Sequence, residues 1–271
     1  MDIALKNALK SIHNTLNPNR YINSSKRLQN IAMFHTGRCG STVLGKLLKQ
    51  NSNIHWDGEI FEGLMCENRT SLPSTTLKNA IDYSRNKKRS SIYGFETKYL
   101  PQQHLSTSCL NLSLEDYIKR LQDLNFNRFI ILKRENYLRR AISSYVGRQS
   151  GTWHSNKNTE QPPGITLDLE NFQTGFSRQP LLEHFKTMDD EYARLLELLG
   201  ENALVISYEE DIEINPIACY EKVCAFFEIP AESVKISIKK TNPFGYDELL
   251  TNFESVKQLL VNTKYEWMLE S

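Results

Sequence analysis

The stretch IAMFHTGRCGSTVLGKLLKQ, residues 31–50, constrains the fold more than any other part of the chain. It begins as an apolar run of strand length, breaks into two glycines with an arginine between them, and continues with an amphipathic helical pattern. A tight turn between a strand and a helix points backbone N–H groups and the positive end of the helix dipole at one place. The sequence therefore predicts an α/β core with an anion-binding loop directly after its first strand.

Two kinds of anion loop overlap in this stretch. Residues 40–46 match the GxxxxGK of nucleoside-triphosphate loops, but Leu47 stands where that motif needs Ser or Thr for magnesium. Lys46 also falls within the helical pattern, where its side chain would project from the flank. The segment at the strand end offers glycines, a guanidinium and hydroxyls, and a tight turn without ligand is its alternative interpretation. We therefore predict the anion site at Thr36, Gly37, Arg38, Cys39, Gly40, Ser41 and Thr42.

Short apolar runs alternate with helical patterns along the rest of the chain. The predicted buried strands cover 31–35, 91–95, 128–132 and 203–207, and the predicted helices 42–50, 114–124, 137–148, 181–199 and 216–227. Such alternation is typical of a parallel sheet flanked by helices on both faces. We expect a single α/β domain over 1–271, opened by a helix and linker at 1–30.

The long polar segment 147–180 is predicted to be a lid or substrate loop, since irregular segments of this length in a domain are usually functional or disordered. Within it, Trp153 and His154 are candidate substrate-binding residues. Surface aromatics without a ligand are the alternative.

Composition excludes several classes of function. The 271 residues carry a net charge of +1, so no global field attracts nucleic acid or an anionic membrane. The five cysteines show neither paired nor zinc-like spacing, which favours a reducing compartment. No stretch approaches the roughly 18 apolar residues of a membrane span. We expect a cytoplasmic protein with a small-molecule partner.

Three segments resemble sulfotransferases that use 3′-phosphoadenosine 5′-phosphosulfate (PAPS), within a likeness that spans most of 31–269. TGRCGSTVL resembles their 5′-phosphosulfate loop, ILKRENYLRRAISSYVGR their 3′-phosphate element, and ALVISYEEDIEINPIACYEKVCAFFEIP their closing strand and helix. The resemblance implies a P-loop-like sulfotransferase fold, with Arg38 at the transferring group. It also implies that Arg134 and Ser143 hold the 3′-phosphate. Other residues that compete for or add to this role are Arg140, Ser144, Lys239 and Lys240.

Sulfuryl transfer needs charge stabilisation on the sulfonate and a base for the proton of the acceptor, and it requires no metal. IHWDGEIFEG resembles the Gly-Glu turn that carries the base in several members, which implies Glu59. The His that precedes Leu-Pro in the animal cytosolic branch is replaced by Tyr99. His55, also a candidate substrate residue, and His104 are rival bases, and Lys98 is a candidate for stabilising the sulfonate.

The implied function is transfer of a sulfuryl group from PAPS to a hydroxyl or amine of a small molecule, leaving adenosine 3′,5′-bisphosphate. Overall likeness to bacterial and cyanobacterial small-molecule sulfotransferases, including the saxitoxin-sulfating type, favours secondary metabolism. A nucleotide-dependent small-molecule kinase with a degenerate loop, or a nucleotide-binding protein, is the alternative.

Overall fold

A five-stranded parallel sheet forms the centre of the protein. The computed structural model describes residues 29–62, 77, 92–150, 164–174, 177–238 and 244–270, with the side chain of Ser150 excepted. The sheet strands are β1 (Gln29–His35), β2 (Ile54–Glu59), β3 (Ile92–Lys98), β4 (Arg128–Lys133) and β7 (Ala203–Ser207). Their order is β2-β3-β1-β4-β7 and every neighbouring pair is parallel. β5 (Phe172–Thr174) and β6 (Ser177–Gln179) form a separate antiparallel pair.

Helices connect and cover these strands, and local signals explain several of their ends. The Ser113 hydroxyl accepts from the Asp116 N–H at 3.1 Å at the start of one helix, and Asn215 caps another that has Pro216 in its first turn. The helices are α1 (Ser41–Leu48), α2 (Leu114–Asp123), α3 (Tyr137–Ser150), α4 (Leu181–Leu199), α5 (Pro216–Phe226), α6 (Tyr246–Leu249) and α7 (Phe253–Leu260), with a π-helical turn at Tyr208–Ile212 and 3₁₀ turns at Gly200–Asn202 and Glu266–Glu270.

The central strand is buried on both faces. Ala32 and Phe34 of β1 pack into one hydrophobic cluster, whereas Ile31 and Met33 pack into a second cluster with α1 and α5 on the opposite face. The prediction of a parallel sheet with helices on both faces is thereby confirmed. Within the described residues no helix combines the length and apolarity needed to cross a bilayer.

Strand β2 was not predicted, and the Gly-Glu turn that the resemblance implied is instead the end of this strand. Glu59 is the last residue of β2, opposite Glu96 of β3, with an irregularity in the pairing between Trp56 and Glu59. In β2, His55 and Asp57 alternate with Ile54 and Trp56, so this strand lacks the continuous apolar run of the four predicted strands, which include the other edge strand, β7.

The segment 147–180 is less irregular than predicted. Its first four residues complete α3, and β5 and β6 pair near its end. Ile165 forms an isolated bridge with Leu250, and Ile165, Leu167 and Phe172 are buried, so apolar contacts hold this part to the body. The lid prediction for 151–163 falls outside the described residues, as do the predictions for 1–28, Trp153, His154, Lys239 and Lys240.

Candidate functional site

The loop between β1 and α1 contains three residues in the left-handed region of the backbone. Gly37, Arg38 and Gly40 have φ values of 82°, 57° and 85°, all in the left-handed region. The Gly40 carbonyl accepts from the N–H groups of Val43 and Leu44 at 2.9 and 3.2 Å, which starts α1. A left-handed arginine costs roughly 1–2 kcal/mol, and such strain concentrates at ligand sites.

Close packing explains why residue 45, which matches the second glycine of the competing triphosphate motif, is a glycine. A Cβ added to Gly45 would lie 2.6 Å from Trp56 Nε1 and would collide with Glu96 Oε1. Lys46 follows it on the exposed side of α1, five residues into the helix. A triphosphate loop needs that lysine at the start of the helix, next to the phosphates.

Arg38 lies against the predicted 3′-phosphate element. Its Nε donates to the Ser143 hydroxyl at 2.9 Å, and Arg134 Nη1 donates to the Arg38 carbonyl at 3.1 Å. The parallel pairing of β1 with β4 brings the loop and Arg134 to the same edge of the sheet. The structure therefore brings Arg38, Arg134 and Ser143 together, although they are far apart in sequence.

Two adjacent arginines give this region a surplus of positive charge. Burial, followed by repulsion from Arg134, lowers the pKa of Arg38. Among the described residues, Arg134 Nε is buried without a hydrogen-bond partner, and its nearest carboxylate, Glu209, is 3.8 Å away. Close like charges with an unused donor are a physical fit for a bound anion.

Residues just after β7 complete the surroundings of Arg134. The Arg134 guanidinium lies 4.4 Å from the centre of the Tyr208 ring, and a Cβ on Gly40 would lie 2.9 Å from that ring. Glu209 accepts from the backbone N–H groups of Glu135 and Asn136 at 2.9 and 3.1 Å. Since this carboxylate occupies the start of α3, an anion here would be held by side chains. The sequence analysis did not select Tyr208 or Glu209.

Arg140, the alternative candidate for binding the 3′-phosphate, forms hydrogen bonds with the loop itself. It is buried, and its guanidinium donates to the Thr36 hydroxyl at 3.0 Å, to the Gly37 carbonyl at 3.2 Å and to the Thr36 carbonyl. Gln103 Nε2 donates to the same Thr36 carbonyl at 3.0 Å. These bonds fix the backbone of the loop, so Arg140 stabilises the loop from its buried side.

A second group of side chains, which we call the acidic cluster, lies on the other side of the loop. It consists of Glu59, Glu62, Glu96, Lys98, His35 and His104. Lys98 Nζ is 2.7 Å from Glu59 Oε2 and 2.7 Å from Glu62 Oε2. A Cβ on Gly37 would lie 3.6 Å from Lys98 Cε, so the lysine passes directly over the anion loop.

The two carboxylates that share Lys98 have different pKa values. Burial raises the pKa of Glu59 to about 7, although Lys98 acts in the opposite direction. A hydrogen bond from His104 lowers the pKa of Glu62, which is more exposed. Burial opposes the charge on Lys98, but both carboxylates raise its pKa overall. Glu59 is therefore a carboxylate that can both hold and release a proton near neutral pH.

The two histidines of the cluster are neutral and carry their protons on Nε2. Burial lowers the pKa of both rings. His35 Nδ1 accepts from the Gly37 N–H at 3.0 Å, and His104 Nδ1 accepts from the Lys98 N–H at 3.0 Å. A ring nitrogen that accepts a hydrogen bond has no proton, so in both rings Nε2 is the donor.

Two sets of three side chains have ligand atoms close enough to hold a metal ion, namely His35, Glu59 and Glu96, and Glu59, Glu62 and His104. In both sets the histidine faces the carboxylates with its protonated nitrogen. A metal ligand needs the lone pair of that nitrogen. The bonding therefore favours hydrogen bonds within the cluster over metal coordination.

The rival bases occupy different positions. His104 is fully buried behind Lys98, with Nε2 3.5 Å from Glu62 Oε2. His55 lies on β2 next to the Tyr93 ring, and its Nε2 is 3.1 Å from Asp57 Oδ1. The assignment of Glu59 as the base and the assignment of His55 as a substrate residue both remain predictions.

The sequence analysis missed His35, Glu62 and Glu96. An acidic residue inside a buried strand is unusual unless it is paired, and Glu96 in β3 carried that signal. His35 also carried one, because it ends the strand that precedes the loop. Glu62 had no comparable signal.

Comparison with known proteins gives one relative in sequence and similar folds among solved structures. No protein-family model matches the chain. Nodulation protein H of Rhizobium tropici is 25% identical over 153 residues, which are 55% of this chain and 56% of that protein. The chain thus spans about half the length of the curated relative it matches.

A sulfotransferase from Alicyclobacillus acidocaldarius has a similar structure, with a TM-score of 0.50 and 14% identity over 89% of this chain and 94% of that one. The sulfotransferase domain of the Synechococcus PCC 7002 olefin synthase scores 0.40 at 13% identity, over 92% and 89% of the two chains. The first of these similarities shows that the fold is that of a sulfotransferase, which confirms the fold that the resemblance implied from the sequence.

Proposed function

We propose that the protein is a PAPS-dependent sulfotransferase that transfers a sulfuryl group to a hydroxyl or amine of a small molecule. The observation that carries this proposal is the Glu59–Lys98 pair, which lies against the loop that also holds Arg38. A carboxylate with a raised pKa, a lysine ammonium and the proposed anion loop thus lie together at one edge of the sheet. These are the groups that in-line sulfuryl transfer needs.

The basic residues support a donor with two anionic groups. Backbone N–H groups within 38–42 and the Arg38 guanidinium suit the 5′-phosphosulfate, and Arg134 with Ser143 suits a second phosphate. Arg134 Nε is buried without a hydrogen-bond partner among the described residues, and Arg38 already contacts Ser143. When bound, the donor would supply the sulfuryl group and a phosphate leaving group.

Glu59 is the proposed base because its pKa of about 7 suits proton removal near neutral pH. As the hydroxyl or amine attacks sulfur, its proton passes to the Glu59 carboxylate. Because Glu59 is then neutral, only one of the two carboxylates next to Lys98 is still charged. Lys98 is therefore available to stabilise the sulfonate oxygens and the bridging oxygen. The acceptor is therefore expected between Glu59 and the loop.

The alternative of a nucleotide-dependent kinase has less support. Its motif requires Lys46 next to a phosphate, and that residue is exposed on the last turn of α1. We assign the anion site to residues 36–42 and propose a small metabolite of secondary metabolism as acceptor. The saxitoxin-type alkaloids named by overall likeness are one group to include in an acceptor screen.

Mass spectrometry with PAPS and a panel of small hydroxyl and amine acceptors tests this function. The expected result is a product heavier than its acceptor by one sulfuryl group, together with adenosine 3′,5′-bisphosphate in equal amount. The matched control is Arg38→Ala, for which we expect neither product. Phosphorylated products with ATP and magnesium, and none with PAPS, would contradict the proposal.

A further inference from the structure

A buried imidazole behind the proposed base carries an inference that rests on the proposed function and extends it. His35 is the last residue of β1 and continues the alternation of Ile31 and Met33 on the face covered by α1. The Gly37 N–H holds its Nδ1 at 3.0 Å, which ties the ring to the anion loop and leaves the proton on Nε2.

This Nε2–H faces two carboxylates at similar distances. It is 3.7 Å from Glu96 Oε2 and 3.9 Å from Glu59 Oε1, both beyond a normal hydrogen bond. Among the described residues Nε2 has no hydrogen-bond partner, although His35 is completely buried. Since an unpaired buried donor is unfavourable, a small rotation that brings either carboxylate to this N–H is favoured.

The rest of Glu96 is fixed. Its Oε1 accepts from Trp56 Nε1 at 2.9 Å, and the side chain packs against Gly45 of α1. Ser41 also hydrogen-bonds this carboxylate, and its Oε2 is the oxygen that lies 3.7 Å from His35 Nε2. Glu59, by contrast, is on the edge strand β2 and is partly exposed. Its Oε2 lies 2.7 Å from Lys98 Nζ.

We propose that His35 is a positioning residue for Glu59, and that its Nε2–H alternates between Glu59 and Glu96 during turnover. While Glu59 is ionised, the N–H binds Glu59 Oε1 and holds the carboxylate toward the acceptor. Once Glu59 has taken the proton of the acceptor, the N–H turns to Glu96 Oε2. The N–H bond of His35 is never broken, and the transferred proton moves only from the acceptor to Glu59.

Several other charged groups face this pair and set the background for its titration. Lys98, His104, Glu62 and Arg140 act on His35, and Lys98, Glu62 and His104 surround Glu59. Burial raises the pKa of Glu96, whereas hydrogen bonds from Trp56 and Ser41 and the charge of Lys98 lower it. Loss of a donor to ionised Glu59 raises its pKa, whereas loss of a nearby negative charge lowers it.

Substitutions of His35 and of Glu96 should therefore shift the pKa of Glu59 in opposite directions. His35→Asn keeps an acceptor for the Gly37 N–H but removes the Nε2–H, so the pKa of Glu59 should rise by about one unit. Glu96→Gln removes the competing charge, so the same pKa should fall by about one unit. Glu115→Gln, which removes a carboxylate bound to Arg194 on the surface, is the matched control and should leave it unchanged.

A ¹³C NMR titration of the glutamate carboxyl carbons measures these shifts directly, with the Glu59 resonance assigned by its loss in Glu59→Gln. The acid limb of kcat in the sulfuryl-transfer reaction should move in the same directions. Unchanged Glu59 titration in both folded variants, or shifts of the same sign, would overturn the proposal. The ¹⁵N shifts of the His35 ring in the unmodified protein provide a test without any variant, since a proton on Nδ1 would also overturn it.

The titration needs neither donor nor acceptor, so its outcome is independent of the proposed function. Full activity of Glu59→Gln would contradict Glu59 as base, whatever the titration shows. Loss of activity in Glu59→Gln, with no change of the Glu59 pKa in His35→Asn, would overturn only the role of His35.

Discussion

Two regions at the same edge of the sheet differ in how their charges are held. The basic region, Arg38, Arg134, Arg140 and Ser143, is fixed mainly by guanidinium bonds to loop carbonyls and to a hydroxyl. The acidic cluster is held by contacts between titratable side chains, with one lysine shared by two carboxylates. One region keeps its charge at any physiological pH, and the other changes its protonation near neutrality.

In the proposed function, this difference separates donor binding from proton transfer. Arginines that cannot lose their protons suit an anion that must be held throughout the reaction. A carboxyl group with a pKa near 7 suits a proton that must be taken up and released. Changes in the basic region should therefore weaken donor binding, and changes in the acidic cluster should lower kcat at unchanged donor affinity.

The largest effect is expected for Arg38→Ala, because this residue lies in the proposed anion loop and donates to Ser143, a proposed 3′-phosphate residue. We expect kcat/KM with PAPS to fall on the order of 10³–10⁵-fold, which combines a lost transition-state donor with a lost charge-assisted contact. Steady-state kinetics and circular dichroism would separate lost activity from unfolding. Near-normal activity would show that the loop has no part in catalysis.

Glu59→Gln is expected to lower kcat on the order of 10²–10⁴-fold, since the amide keeps the shape but not the basicity of the side chain. The affinity for adenosine 3′,5′-bisphosphate, measured by calorimetry, should hardly change. A fully active variant on an alcohol acceptor, together with an inactive His104 or His55 variant, would assign the base to a histidine.

The pH dependence of the unmodified enzyme should follow Glu59. Because the base must be ionised, kcat should be low below pH 6 and should rise through about pH 7, the raised pKa of this group. The same raised pKa means that ionised Glu59 opposes folding, so its cost to stability is absent at pH 4 and present at pH 8. Thermal unfolding of Glu59→Gln should therefore show a gain in Tm relative to the unmodified protein at pH 8 and none at pH 4. A rate that is flat from pH 5 to 8 would contradict this assignment.

A smaller effect is expected for Arg134→Ala, which removes one charge-assisted contact to the donor. The Kd for adenosine 3′,5′-bisphosphate should rise by about 10- to 150-fold, equivalent to roughly 1.5–3 kcal/mol. The Kd for adenosine 5′-monophosphate should stay the same, which makes that nucleotide the control. An equal loss for both nucleotides would place Arg134 outside a 3′-phosphate pocket.

The smallest effect is expected for Lys46→Ala. Lys46 is exposed, so kcat/KM with PAPS should stay within about twofold, as for most surface substitutions. Steady-state kinetics measures this directly. A large loss, accompanied by magnesium-dependent binding of ATP, would revive the triphosphate-loop interpretation.

Much of the fold could be predicted because buried parallel strands have a simple pattern. The runs that became β1, β3, β4 and β7 are continuous and apolar, and they were found to within a few residues. β2 was missed because its polar residues broke the pattern, whereas β7, the other edge strand, is continuously apolar over its first four residues.

The basic region was easier to predict than the acidic cluster for a physical reason. Arg38 and Arg134 follow predicted strands directly, so the parallel sheet alone brings them together. The cluster depends on side-chain faces across three strands, with His35, Glu96 and Lys98 on the face of α1. Register and strand order, which a single sequence does not give, decide those contacts.

Calorimetric titration of the unmodified protein with adenosine 3′,5′-bisphosphate, adenosine 5′-monophosphate and ATP with magnesium tests the central claim most directly. If the loop and Arg134 hold the two anionic groups of a PAPS-type donor, the bisphosphate should bind about 10- to 150-fold more tightly than the monophosphate, the value of one charge-assisted contact. Magnesium-ATP should bind more weakly than the bisphosphate. Equal affinity for the bisphosphate and the monophosphate, or tightest binding of magnesium-ATP, would contradict the account.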